Sequence, residues 1–135
     1  MFYSSMFSFV DSVFEVKRGE SLRAFFTLRP SEEFLKDHFA DFPVMPGVLQ
    51  LESLRQAASL YLNETEGSVG FHRFENVSLV KYGQFVKPES RLKIFVRFIK
   101  KENESSFFEG RIDLVDGEGL LGRVILADFS LVPVK

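Results

Sequence analysis

The chain contains no cysteine, which excludes disulfides, thiolate metal sites and a cysteine nucleophile. It has little surplus charge: 17 Lys and Arg against 19 Asp and Glu leave a formal net charge of −2 at pH 7. That balance gives no general pull toward nucleic acid or an anionic membrane. No apolar run reaches the roughly 18 residues needed to cross a bilayer. The opening stretch, Met1 to Val10, is apolar but has no basic residues ahead of it, and Asp11 interrupts it. It does not read as a signal peptide, so the expected location is the cytoplasm. Internal repeats, low-complexity tracts and linkers are also missing, and residues 1–135 read as a single domain with room for one core.

What the chain has in quantity is phenylalanine, 17 residues of it, against ordinary proportions of apolar (45%) and charged (27%) residues. So many rings imply a thick aromatic core, or a surface to be covered by a partner or an acyl chain. Val13 to Arg18 reads as a strand, Lys17-Arg18-Gly19-Glu20 as a turn and Ser21 to Leu28 as a second strand. In the latter, Leu22, Ala24, Phe26 and Leu28 alternate with Arg23, Phe25 and Thr27. Pro30-Ser31-Glu32-Glu33 has the N-cap and acidic first turn of a short helix. After an irregular segment from His38 to Met45, Val48 to Leu62 reads as a helix of roughly 15 residues, apolar on most sides at Val48, Leu49, Leu51, Leu54, Ala57, Ala58, Leu60 and Leu62. Strands are then expected near Ser68–Val80, Arg91–Lys100, Phe107–Val115 and Leu120–Val132, with Asp116-Gly117 as a hairpin signal. Two strands, one buried helix and a run of antiparallel strands make an α+β fold, a sheet wrapped on a helix.

Chemistry concentrates in the stretch from His38 to Glu52. Glu52 lies inside an apolar helix, where a lone carboxylate is costly and desolvation would push its pKa up, toward a general acid. His38 precedes the helix on irregular chain and is the natural base. Pro46 and Gly47 stand at the helix start, where backbone N–H groups lack intrahelical acceptors and glycine admits a ligand closely. Base, acid and N–H donor are the three parts needed to remove a proton alpha to a carbonyl. On residue types alone, a structural histidine and a solvated glutamate explain the same letters. His72, in Gly70-Phe71-His72-Arg73, has no recognisable partner and reads as structural, and Tyr61 reads as packing.

His38-Phe39, six residues, then Met45-Pro46-Gly47-Val48-Leu49-Gln50-x-Glu52 resembles the active-site signature of the FabZ-type 3-hydroxyacyl-[acyl carrier protein] dehydratases. Phe7-Ser-Phe-Val-Asp11, Gln56 one turn past the glutamate, and Lys81-Tyr-Gly-Gln-Phe-Val-Lys-Pro88 extend the likeness over nearly the whole chain. The resemblance implies a hot-dog fold, an antiparallel sheet wrapped around one long central helix. It also implies dehydration of a 3-hydroxyacyl thioester to the trans-2-enoyl product, in fatty-acid or related acyl-chain synthesis. His38 would abstract the C2 proton, Glu52 would assist departure of the C3 hydroxyl, and the Gly47 N–H would polarise the thioester carbonyl. Phe39, Met45, Pro46, Val48, Gln56, Tyr82 and Phe85 are expected to line the substrate site. The site would form in a homodimer, with the histidine from one subunit and the glutamate from the other, and dimers could assemble further. Substrate would arrive on the 4'-phosphopantetheine arm of acyl carrier protein, with no metal or redox cofactor.

The chain departs from the family at three places. His38-Phe39-Ala40-Asp41 replaces His-Phe-Pro-Gly, Pro88-Glu89-Ser90 replaces Pro-Gly-Asp, and Tyr3-Ser4-Ser5-Met6 stands where His-Arg-Tyr-Pro is usual. Asp41, if it approaches His38, would favour the imidazolium and weaken the base. An acidic carrier calls for a basic docking patch, for which Lys87, Arg91, Lys93 and Arg97 are the candidates, with a solvated strand face as the plainer explanation. Two other functions suit the fold: a thioesterase with Glu52 as base, and a catalytically silent domain that binds acyl chains or a carrier.

Overall fold

A computed structural model describes residues 8–29, 44–67 and 70–134. The chain opens with a hairpin, β1 (Ser12–Lys17) and β2 (Ser21–Thr27). Gly19 turns it at φ 79°, and its N–H donates to the Tyr61 hydroxyl at 2.8 Å. Every inward residue of the expected alternation, Leu22, Ala24, Phe26 and Leu28, is fully buried.

The helix α1 runs from Gly47 to Thr65, longer at both ends than its apolar run suggests. Pro46, extended at ψ 148°, lets the helix begin at once at Gly47. At the other end the Glu66 N–H closes on the Leu62 carbonyl and Gly67 takes a positive φ, which stops it. Leu54, Ala57, Ala58, Tyr61 and Leu62 form the i, i+3, i+4, i+7, i+8 stripe that enters the core. The expectation that a helix apolar on most sides is buried at those residues needs correction. Val48 is 69% exposed and Leu60 38%, while Ser53, Arg55 and Ser59 are buried.

Strands β3 (His72–Tyr82), β4 (Arg91–Glu102), β5 (Ser105–Asp116) and β6 (Gly119–Pro133) follow. All six make one sheet in the order β1-β2-β4-β5-β6-β3, antiparallel throughout, with α1 packed against five of the strands. This is the expected hot-dog architecture. The third strand starts four residues later than expected. Hairpin β5–β6 turns at Asp116-Gly117, where the Asp116 carboxylate accepts the Glu118 N–H at 2.8 Å. Rings explain part of the phenylalanine surplus, with Phe9, Phe26 and Phe108 almost wholly buried and Tyr61 stacked on Phe98. Each large side chain so buried contributes about 1.5–3 kcal/mol. The sheet order leaves β1 and β3 as edge strands, so β3 offers eleven residues of backbone on the side where α1 begins.

Candidate active site

The site is built where the chain enters α1. The Met45 N–H donates to the Val86 carbonyl at 2.9 Å, tying the segment before the helix to the loop that follows β3. Met45, Pro46 and Gly47 thereby share a cavity of about 380 Å³ with Val44, Tyr82 and Phe85. A Cβ at Gly47 would lie 2.7 Å from the Tyr82 ring, so any side chain there has to displace that ring. Five residues expected at the substrate, Met45, Pro46, Gly47, Tyr82 and Phe85, therefore meet in one place.

Glu52 is elsewhere. Five residues past Gly47, it lies about 7.5 Å further along the axis and about 140° around it. It lines a separate apolar cavity of about 390 Å³ with Val48, Leu49, Leu51, Phe74 and Val77. The lone desolvated carboxylate that the sequence suggests is not what forms. Arg55 Nε donates to Glu52 Oε1 at 2.8 Å and Arg55 Nη2 to Oε2 at 2.6 Å, while Gln56 Nε2 reaches Oε2 at 3.1 Å. The Glu52 side chain keeps 24% exposure, but that of Arg55 keeps only 5%, and its Nη1 donates to the His72 carbonyl at 2.6 Å. Gln56 Oε1 in turn accepts the Phe9 N–H at 2.7 Å. The carboxylate is thus fixed by a guanidinium fork and an amide, both anchored to backbone.

His72 does have a partner: its Nδ1 lies 2.7 Å from the Ser59 hydroxyl. Burial, with the positive charges of Arg55 and Lys101, holds the imidazole below its usual pKa of 6.5. Tyr61 is a core residue. His38, Phe39 and Asp41, and the short helix expected after Pro30, lie outside the described residues. The basic residues are not brought to the cavities. Arg91, Lys93 and Arg97 alternate with the fully buried Leu92, Ile94 and Val96, so they occupy the sheet face turned away from α1. Arg91 lies over the Phe25 ring, Lys93 over Phe14, and Arg97 pairs with Glu109. Lys87 is exposed in the loop between β3 and β4.

Sequence reasoning did not single out Arg55, and it named Gln50 only as a letter of the signature. Gln50 is 4% exposed, lines the Gly47 cavity and donates from Nε2 to the Met45 carbonyl at 3.2 Å, and its Oε1 has no partner among the described residues. The available signal was a polar residue in each of two buried helical positions. Among the described residues no cluster of acidic or histidine side chains could hold a metal ion, and no helix is long and apolar enough to cross a membrane.

Comparison with known proteins bears on the family and the fold. The family model described as ApeI dehydratase, ApeI-like, matches residues 15–115. The 3-hydroxyacyl-[acyl-carrier-protein] dehydratase FabZ of Oceanobacillus iheyensis is 36% identical over 115 residues, covering 83% of this chain and 80% of that protein. The FabZ of Bacillus subtilis is 33% identical over 115 residues, covering 83% and 79%. Among solved structures, the dehydratase heterocomplex ApeI:P from Xenorhabdus doucetiae superposes with TM-score 0.74 at 14% identity, over 94% of this chain and 83% of that one. A hypothetical thioesterase with coenzyme A from Streptococcus pneumoniae superposes with TM-score 0.66 at 14% identity, over 91% and 84%. At such identities the structural matches speak to the fold alone.

Proposed function

The chain belongs to the ApeI-like dehydratase family, and from that premise we propose that it removes water from 3-hydroxyacyl thioesters on acyl carrier protein to give trans-2-enoyl thioesters. The observation that carries the proposal is the start of α1, where Gly47 opens onto an apolar cavity lined by Met45, Pro46, Tyr82 and Phe85. Leu49 and Gln50 donate their N–H groups to the Pro46 carbonyl, whereas those of Gly47 and Val48 precede any intrahelical acceptor and suit a thioester oxygen that gains negative charge. His38 takes the C2 proton, and the electrons of that C–H bond form the C2=C3 double bond. The C3–O bond breaks, and the hydroxyl leaves as water with a proton from the Glu52 carboxyl. Arg55 and Gln56 set where that carboxyl sits. Proton transfers and one oxyanion complete the reaction, so it needs no metal or redox group.

One copy keeps Gly47 and Glu52 in different cavities. We assign their meeting to a homodimer in which the partner subunit's Glu52 faces Gly47 and His38. Exposed Val48, the apolar lining beside Glu52 and the edge strand β3 supply the surface for it. The setting is the cytoplasm, where acyl carrier protein would present the substrate. Lys87 and the Arg91, Lys93, Arg97 row remain candidates for carrier docking, the row being reached from the outer face of the sheet.

Purified protein and a 3-hydroxyacyl-acyl carrier protein, followed for 2-enoyl absorbance and for free thiol, test the reading. Enoyl product without thiol is expected. Stoichiometric thiol release would make the chain a thioesterase. Neither product across several chain lengths, with acyl binding retained, would make it a silent binding domain.

A further inference from the structure

Gln50 is an unusual occupant of its position. It sits in the first turn and a quarter of α1, nine-tenths or more of it buried, among Val44, Met45 and Val124. Its Nε2 donates to the Met45 carbonyl, and this bond fixes the amide: flipping it would set two oxygens against each other. Among the described residues Oε1 has no donor, and Gln50 is itself one of the residues that line the cavity. A buried acceptor with nothing to accept is unfavourable, and a methionine or leucine of similar size would remove the penalty. Such a group makes sense where a ligand supplies the missing donor.

We propose that Gln50 Oε1 accepts a hydrogen bond from the 3-hydroxyl of the substrate and so makes the site selective for 3-hydroxyacyl thioesters; this rests on the dehydratase reading. Side chains on a helix lean toward its N-terminus, and the Nε2 bond back to Met45 places the Gln50 amide beside the first turn. Gln50 follows Gly47 by three residues, which puts both on one side of the helix about 4.5 Å apart along the axis. A thioester presents its carbonyl acceptor two carbons from its 3-hydroxyl donor. The cavity lining holds the complementary pair, the N–H of Gly47 and the unpartnered acceptor of Gln50. With its proton held by Gln50, the hydroxyl keeps an oxygen lone pair free to receive the proton with which it departs.

The test uses the whole protein, 3-hydroxyhexanoyl pantetheine as substrate, and hexanoyl and 3-oxohexanoyl pantetheine as competitive inhibitors. Gln50→Met keeps length and removes the acceptor. It should lower kcat/KM for the hydroxy substrate about tenfold or more, while the inhibition constant of hexanoyl pantetheine stays within about twofold. Wild type alone provides a second arm. The 3-oxo compound turns an acceptor toward Oε1, so it should bind about tenfold more weakly than hexanoyl pantetheine, a penalty that Gln50→Met abolishes. Equal weakening of substrate and hexanoyl pantetheine would overturn the proposal and put the donor in the pantetheine amides both share. No change in either would overturn it too. If wild type yields no enoyl product but calorimetry still shows it binding hexanoyl pantetheine about tenfold more tightly than the 3-oxo compound, and Gln50→Met does not, the dehydratase reading fails and the Gln50 assignment stands.

Discussion

Replacing Glu52 by alanine does two things at once, and the structure lets them be separated. Chemically it deletes the proposed proton donor. Physically it strands Arg55, whose side chain is 5% exposed and would keep only the His72 carbonyl as a partner. Removing one member of a buried ion pair costs about 3–5 kcal/mol. Glu52 retains 24% exposure, so water softens the loss and the lower end, about 3 kcal/mol, applies. For a chain of this size that is a fall of roughly 10 °C in Tm. Glu52→Gln keeps an oxygen for Arg55 and an amide near Gln56, and should cost about 1–1.5 kcal/mol. Arg55→Met leaves a carboxylate that water and Gln56 still reach, and should cost about 1 kcal/mol. The double variant Glu52→Ala, Arg55→Met should therefore be more stable than Glu52→Ala alone, with a coupling of about 2 kcal/mol. Urea unfolding of the four proteins, at concentrations where sedimentation finds the same oligomer, measures the cycle. Additive effects, or a Glu52→Ala cost below about 0.5 kcal/mol, would refute the reasoning. A corollary is that Glu52→Gln, not Glu52→Ala, is the fair probe of the chemistry.

Three further outcomes follow from particular contacts. His72 is held below 6.5 in the folded state by burial and by Arg55 and Lys101, so below about pH 6.5 the unfolded chain binds the extra proton. Stability then falls as pH drops from 6.5 toward the folded value, and His72→Gln should flatten that limb in Tm measured against pH. Gly47→Ala puts a methyl 2.7 Å from the half-exposed Tyr82 ring, which can swing away. Tm should hold within the equivalent of about 1 kcal/mol, because alanine also favours the helix, while enoyl formation falls steeply. Gly83→Ala drives a Cβ to 2.1 Å from the Arg123 carbonyl oxygen, a backbone atom that cannot step aside. It should cost about 1–3 kcal/mol by urea unfolding and perturb the cavity wall at Gln84 and Phe85.

How far the sequence reached is clearest in β2 and α1. Strict alternation at Leu22, Ala24, Phe26 and Leu28 reflects one buried face, and period alone carries that information. The Leu54-Ala57-Ala58-Tyr61-Leu62 stripe was legible for the same reason. The ends of α1 were not, because Gly47 and Thr65 are set by a proline geometry and a glycine turn and not by apolar period. Partnerships across the fold were not legible either. Arg55 in a helix ordinarily reads as a solvated cation, yet it reaches the His72 backbone 17 residues on, and Ser59 meets His72 across 13. Motif letters at Gly47 and Glu52 were readable, while their separation into two cavities follows from helix rotation and the packing around it. The row Arg91, Lys93, Arg97 looks in sequence like one basic patch, but pairing with Glu109 and stacking on Phe25 and Phe14 consume much of it.

The central claim is elimination of water at a site that two copies build from His38, Gly47 and Glu52. Its most direct test mixes two inactive full-length variants, His38→Ala and Glu52→Gln, after subunit exchange, and follows 2-enoyl product from a 3-hydroxyacyl-acyl carrier protein. Half of the dimers would then be mixed, each with one intact site of two, so enoyl formation should return to about a quarter of the wild-type rate. A mixture that stays inactive, although exchange is complete and wild type turns over, would contradict the shared site.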